Sequence, residues 1–172
     1  HRDLFDAINE LGKEISTQQV FGDIGCSALG VLPPFQSINT LIDMGASITM
    51  AKGAADAGIH PSIAIIGDST FTHSGMTGLL DAVIEKTPIT IIISDNSAIA
   101  MTGAQDSSAS GRLITICEGI GVEEDHLKVI TPLHKNLEEN INTIRQELNY
   151  KGVSVVIAQR PCIQIPKEKK AK

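Results

Sequence analysis

Two apolar runs, each stopping abruptly at a small polar cluster and joined by an amphipathic segment, constrain this chain more than any other feature. Ile63 to Ile66 end at Gly67-Asp68-Ser69, an amphipathic stretch runs from Phe71 to Glu85, and Ile89 to Ile93 end at Asp95-Asn96. Short, isoleucine-rich and unbroken, the runs predict strands buried on both faces. Strand, loop, helix and strand in that order predict a parallel βαβ unit with a right-handed crossover. Ligands of such sheets sit beyond the carboxyl ends of the strands, where both polar clusters fall. A carboxylate and an amide oxygen side by side are hard ligands suited to Mg²⁺ or Ca²⁺. The helix that follows Ser69 aims its unpaired N–H groups at the same place, which favours a phosphate. A divalent ion with a diphosphate is therefore the predicted ligand.

The flanking segments extend the same pattern. Leu4, Phe5, Ile8 and Leu11 recur at helical spacing, so residues 2–14 predict an amphipathic helix, and Gln19 to Phe21 a short strand. Residues 22–44 hold several glycines and two prolines and predict a long loop, a class of segment that is usually functional in a compact domain. Gly45 to Ala57, rich in small residues, suits a closely packed helix. Gly103 to Gly111 is polar and is expected to be mobile. Leu113 to Ile120 predicts a short helix and Val129-Ile130 a brief strand. Leu137, Ile141, Ile144 and Leu148 line one face of a helix over Asn136 to Tyr150, and Val153 to Ala158 make a last buried strand. The fold class is α/β: a three-layer domain whose mostly parallel sheet has about five strands.

Composition narrows the function. At 172 residues, the chain has room for one domain with a real core. Its net charge of −6 argues against nucleic-acid binding. The basic end, Lys167-Glu168-Lys169-Lys170-Ala171-Lys172, reads as a linker or tail beyond a domain at residues 1–166. No apolar run approaches the ~20 residues of a membrane span, and no secretory leader pattern opens the chain. Cys26, Cys117 and Cys162 are far apart and form no C-x-x-C, which speaks against zinc or an iron–sulfur cluster held by this chain alone. An odd cysteine count fits a reducing, cytoplasmic setting.

Gly67-Asp68-Ser69, the spacer over residues 70 to 95 and then Asn96 resemble the thiamine-diphosphate motif, in which GDG is followed at a distance by Asn. The longer strings GDSTFTHSG and DNSAIAMTGAQ resemble one branch, the 2-oxoacid:ferredoxin oxidoreductases, nearest to the large (alpha) subunit of the indolepyruvate enzymes. Phe21-Gly22-Asp23-Ile24-Gly25-Cys26, Gly30-Val31-Leu32-Pro33-Pro34 and Met44-Gly45-Ala46-Ser47 resemble the same branch, so the likeness runs nearly the whole chain in order. Ser69 replaces the commoner Gly of the motif, and Ala104 stands where Gly or His is more familiar. The chain opens at His1-Arg2, where that family has a CPGCPHR-like stretch, so a fragment of a longer polypeptide is expected.

The resemblance implies a thiamine-diphosphate and Mg²⁺ binding fold. Asp68, Asn96 and the carbonyl of Ala98 would hold the metal, with diphosphate oxygens and a water completing its shell. Gly67, Ser69 and Thr70 would receive the diphosphate. Met101 and Thr102 would lie along the cofactor, as would Gly25, Cys26 and Ser27 and the helix start Met44, Gly45 and Ala46. Blander roles stand beside these. Asp68 and Ser69 could cap a helix, Asp95-Asn96 could be simple turn chemistry, and Cys26 could be a small buried thiol. His73, one turn further on, is as readily an exposed helix residue as one facing the site.

The implied reaction is oxidative decarboxylation of a 2-oxoacid to an acyl-CoA, with electrons passing to ferredoxin. Coenzyme A, ferredoxin, a pyrimidine-binding domain and a second subunit would be partners, and a dimer is expected. Iron–sulfur clusters and the activating glutamate would come from parts missing here, so no residue of this chain is assigned a catalytic role. The chain alone is expected to bind cofactor weakly or not at all, and not to turn over. A non-catalytic or regulatory thiamine-diphosphate module is the alternative, and another thiamine enzyme, such as an acetolactate-synthase-like decarboxylase, a further one. A GDS-type serine esterase with Ser69 as nucleophile fails for want of a late D-x-x-H.

Overall fold

The computed structural model describes residues 2–14, 19–38, 40–99, 105 and 107–162. A six-stranded, wholly parallel sheet runs through it: β1 (Val20–Gly22), β2 (Thr40–Leu41), β3 (Ser62–Gly67), β4 (Ile89–Asp95), β5 (Leu127–Ile130) and β6 (Ser154–Gln159), in the order β2-β1-β3-β4-β6-β5. The helices are α1 (Arg2–Leu11), α2 (Ala46–Asp56), α3 (Asp68–Thr70), α4 (Met76–Glu85), α5 (Leu113–Ile120) and α6 (Leu137–Leu148). A π turn, Phe71–Gly75, joins α3 to α4.

The isoleucine runs explain the layering. Successive side chains of a strand point to opposite faces. Ala64, Ile66, Ile91, Ile93, Val155 and Ile157 pack with α2, α4 and α5, through Ile48, Leu79 and Cys117. Ile63, Ile65, Ile92 and Val156 pack on the other side with Leu4, Phe5 and Ile8 of α1 and Ile144 of α6. A sheet covered on both faces requires both sets to be apolar, which is why these strands show no polar alternation. Gly75 allows the π turn to approach the sheet, since a Cβ there would stand 2.8 Å from Ile66 Cδ1.

The structure adds order where a loop is expected. Residues 22–44 contain a 3₁₀ helix, Cys26–Val31, and the edge strand β2, which pairs with β1 through Phe21 and Thr40. β5 begins two residues before the expected Val129. Residues 108–112 form turns, and Ser107 and Ala109 are buried, the Ala109 methyl sitting in the α2–α4–α5 core. Among the described residues, no helix is long and apolar enough to cross a membrane. The basic tail, residues 167–172, lies outside the described residues.

Candidate cofactor and metal site

The strand order reverses between β1 and β3: β2 lies outside β1, while β4, β6 and β5 follow β3 on the other side. Such a switch point is where open parallel sheets take their ligands. Two loops open onto it, and each begins with Gly-Asp at a strand end: Gly22-Asp23 after β1 and Gly67-Asp68 after β3.

Asp23 is wholly buried and builds the first loop. Its Oδ1 accepts from Ile24 N–H at 2.9 Å and Gly45 N–H at 2.8 Å. Its Oδ2 accepts from Gly45 N–H at 2.9 Å, Ser47 N–H at 3.3 Å and Ser47 Oγ–H at 2.8 Å. The opening N–H groups of a helix have no intrahelical partner and attract an anion, so Asp23 anchors the start of α2. Ser27 Oγ–H donates to the Asp23 carbonyl at 3.2 Å, which turns Ser27 inward. Gly45 has φ +93°, and a Cβ there would stand 2.6 Å from Ser74 Oγ and 2.9 Å from the Ser74 carbonyl oxygen. Ser74 Oγ–H in turn donates to the Met44 carbonyl at 2.7 Å. Gly25-Cys26-Ser27, Met44-Gly45-Ala46 and the π turn are thus one packed unit at the rim, on which the Met44 side chain stays exposed.

Asp68 and Asn96 are brought together by register. Gly67 pairs with Ser94, so the two residues stand one and two positions beyond the last pair of neighbouring strands. Both are buried. Asn96 Oδ1 accepts from Ala98 N–H at 3.0 Å, which folds the loop so that Ala98 is also buried. Asp95 is spent on structure: Oδ1 accepts from Ser97 N–H at 2.9 Å and Oδ2 from Gln159 Nε2–H at 2.8 Å. Further along, Ile99 N–H donates to the Gln105 carbonyl at 2.9 Å. Met101 and Thr102 lie outside the described residues.

Asp68 differs in kind from its neighbours. Its Oδ2 is buried and has no hydrogen-bond partner among the described residues. Burial pushes the carboxyl up to about 6; a hydrogen bond from Ser107 opposes the rise and the charge of Asp95 adds to it. A buried carboxylate oxygen without a donor is costly and calls for a cation or a proton. The Asp68 carboxylate, the Asn96 amide oxygen and the Ala98 carbonyl, on the two loops that follow β3 and β4, are oxygen donors of the kind a hard divalent ion takes. No group of three His, Cys, Asp or Glu side chains gathers anywhere among the described residues, this site included.

Burial also pushes the Cys26 thiol up from its ordinary value, with Cys162 and Asp68 adding to the rise, so Cys26 is a protonated thiol at neutral pH. Ser69 is half-buried and Thr70 buried in the first helical turn after β3, and His73 is exposed. Sequence reasoning missed Asp23, Ser74 and Ser107. The signal available for Asp23 was its Gly-Asp pair at a strand end, which repeats at Gly67-Asp68.

Comparison with known proteins places the chain in a family and agrees with its fold. The family described as thiamine pyrophosphate enzyme, C-terminal TPP binding domain, matches residues 23–158. The indolepyruvate oxidoreductase subunit IorA of Archaeoglobus fulgidus is 35% identical over 173 residues, covering 94% of this chain and 27% of the relative. The subunit of the same name from Pyrococcus horikoshii is 34% identical over 185 residues, covering 94% and 28%. The chain therefore spans about a quarter of the length of the curated relatives it matches. Among solved structures, the 2-oxoglutarate:ferredoxin oxidoreductase of Magnetococcus marinus aligns over 97% of this chain and 63% of its own, with a TM-score of 0.76 at 15% identity. The benzoylformate decarboxylase of Polynucleobacter necessarius aligns over 92% of this chain and 34% of its own, with a TM-score of 0.63 at 19% identity. At such identities these two structures share the fold.

Proposed function

The chain belongs to the thiamine pyrophosphate enzymes, as a C-terminal TPP-binding domain, and we propose that it binds thiamine diphosphate through Mg²⁺ within an indolepyruvate-type 2-oxoacid:ferredoxin oxidoreductase. The whole assembly would convert a 2-oxoacid to an acyl-CoA and pass electrons to ferredoxin. The names of its curated relatives, indolepyruvate oxidoreductase subunits, support that choice of reaction. The observation that carries the site is the buried Asp68 Oδ2, which lacks a partner among the described residues at the end of β3, beside Asn96.

Asp68, Asn96 and the Ala98 carbonyl hold the metal. Ser69 and Thr70, with the backbone from Gly67, receive the diphosphate, where N–H groups at a helix start favour an anion. Gly25, Cys26 and Ser27 and the α2 start at Met44, Gly45 and Ala46 bound the rest of the cofactor; Met101 and Thr102, outside the described residues, are assigned to it by resemblance alone. When bound, thiamine diphosphate supplies the electron sink that decarboxylation of a 2-oxoacid needs. The chain's own residues anchor and orient. Cys26, as a thiol, adds no charge beside the ion. The iron–sulfur clusters, the pyrimidine-binding domain and the second subunit belong to other parts of the assembly, and this chain alone does not turn over.

Calorimetric titration of the full-length polypeptide with thiamine diphosphate and Mg²⁺, comparing the parent with Asp68→Ala, tests this. Loss of metal-dependent binding in the variant is expected. Parent-like affinity would remove Asp68 from the metal site.

A further inference from the structure

The loop that carries Asn96 and Ala98 is strained, and its shape is imposed in part from a neighbouring strand. Ser97 has φ +59°, in the left-handed region. That conformation is costly for a residue with a side chain and persists only where the surroundings enforce it. Two bonds enforce it from within the loop: Asp95 Oδ1 accepts from Ser97 N–H at 2.9 Å, and Asn96 Oδ1 accepts from Ala98 N–H at 3.0 Å. The first of these orders the loop only if the Asp95 carboxylate is itself held. The end of β6 holds it. Asp95 and Gln159 are register partners, and Gln159 Nε2–H donates to Asp95 Oδ2 at 2.8 Å. The chain beyond β6 then runs on along the loop. Arg160 N–H donates to the Asp95 carbonyl at 2.9 Å, and Cys162 N–H to the Asn96 carbonyl at 3.1 Å.

We propose that Gln159 is a positioning residue for the metal site: acting from β6 through the Asp95 carboxylate, it holds the turn that sets Asn96 and Ala98. The inference deepens, and rests on, the reading of Asn96 and the Ala98 carbonyl as metal ligands. A carboxylate turns about its Cβ–Cγ bond unless it is held, and the Gln159 amide holds Oδ2 while Oδ1 stays on Ser97 N–H. Partners that stand behind the ligands set their orientation and typically change metal affinity by about 10- to 100-fold. A Gln159 that merely stitched β6 to β4 would change stability and leave metal affinity alone.

The test is a Mn²⁺ titration of the full-length polypeptide with thiamine diphosphate present. Free Mn²⁺ is read by electron paramagnetic resonance, and stability by urea denaturation. The parent is compared with Gln159→Met, Asp95→Ala, the double variant and Asp68→Ala. Met matches Gln in length and lacks the donor, and Gln159 is exposed at the end of β6, so Gln159→Met is expected to fold. It is expected to bind Mn²⁺ about tenfold more weakly than the parent. The double variant is expected to fall within about twofold of Asp95→Ala, because Gln159 acts through Asp95. Asp68→Ala is expected to lose saturable binding. Parent affinity in Gln159→Met, with the ion lost in Asp68→Ala, overturns the positioning role and leaves the metal site standing, whatever the urea midpoint. Losses that multiply in the double variant also overturn it, since Gln159 then acts by another route. If Asp68→Ala binds like the parent, the metal reading itself falls, and Gln159 with it. Should Asp95→Ala fail to fold, Asp95→Ser takes its place in the comparison: its hydroxyl can still accept from Ser97 N–H but is too short to meet Gln159.

Discussion

Two aspartates, Asp23 and Asp68, occupy matching positions. Each follows a glycine at the carboxyl end of a parallel strand, each opens a loop at the switch point of the sheet, and each is buried. Their surroundings differ. Both oxygens of Asp23 are engaged by the backbone and side chain of residues 24, 45 and 47. Asp68 Oδ2 has no donor among the described residues. A buried carboxylate that is fully satisfied is scaffold. One left short calls for a cation or a proton, and burial raises its carboxyl pKa accordingly. The distinction comes from what packs against each residue, not from residue type or place in the sheet.

The sharpest way to break the comparison is to remove each carboxylate from the metal-free protein. Asp23→Ala strands the Gly45 and Ser47 donors in the interior and is expected to cost about 3 kcal/mol or more, read as a lower urea midpoint. Asp68→Asn is expected to move the midpoint the other way at pH 7, because an uncompensated buried charge is removed.

A pH series sharpens the second half. The folded-state pKa of Asp68, about 6, lies above its ordinary value near 4, so the folded form binds the proton more tightly. Its contribution is stabilising at low pH and is lost as pH rises through about 6. Across pH 4 to 6 the metal-free parent should lose roughly 2 kcal/mol relative to Asp68→Asn. A flat difference between the two would show that burial does not strain this carboxyl.

Smaller effects map the unit that Asp23 holds together. Gly45→Ala places a Cβ against Ser74 in a left-handed conformation and should cost about 2 kcal/mol, measured by thermal denaturation. Ser74→Ala removes a single hydrogen bond to the Met44 carbonyl and should cost about 1 kcal/mol or less.

Much of the frame was legible in the residues. Ile63 to Ile66 and Ile89 to Ile93 read as doubly buried strands because every position is apolar, and the spacing of Leu137, Ile141, Ile144 and Leu148 marked the face of α6. β2 was not legible, because two residues carry no period and Thr40 pairs only through the register of Phe21. Asp23 escaped because the groups that satisfy it lie 22 and 24 residues along the chain, and no local rule connects them. Ser107 sits in a polar stretch that reads as a mobile loop. Its burial depends on the Ala109 methyl reaching the core, a contact that composition does not report. That Asp68 and Asn96 stand at the ends of neighbouring strands, by contrast, was visible from the Gly-Asp and Asp-Asn clusters that follow the two isoleucine runs.

The most direct test is crystallographic: the full-length polypeptide with thiamine diphosphate and Mn²⁺, with the ion located by its anomalous signal. The expected peak lies about 2.1 to 2.2 Å from Asp68 Oδ2, Asn96 Oδ1 and the Ala98 carbonyl oxygen. A peak bound elsewhere, with Asp68 Oδ2 still facing protein alone, would contradict it.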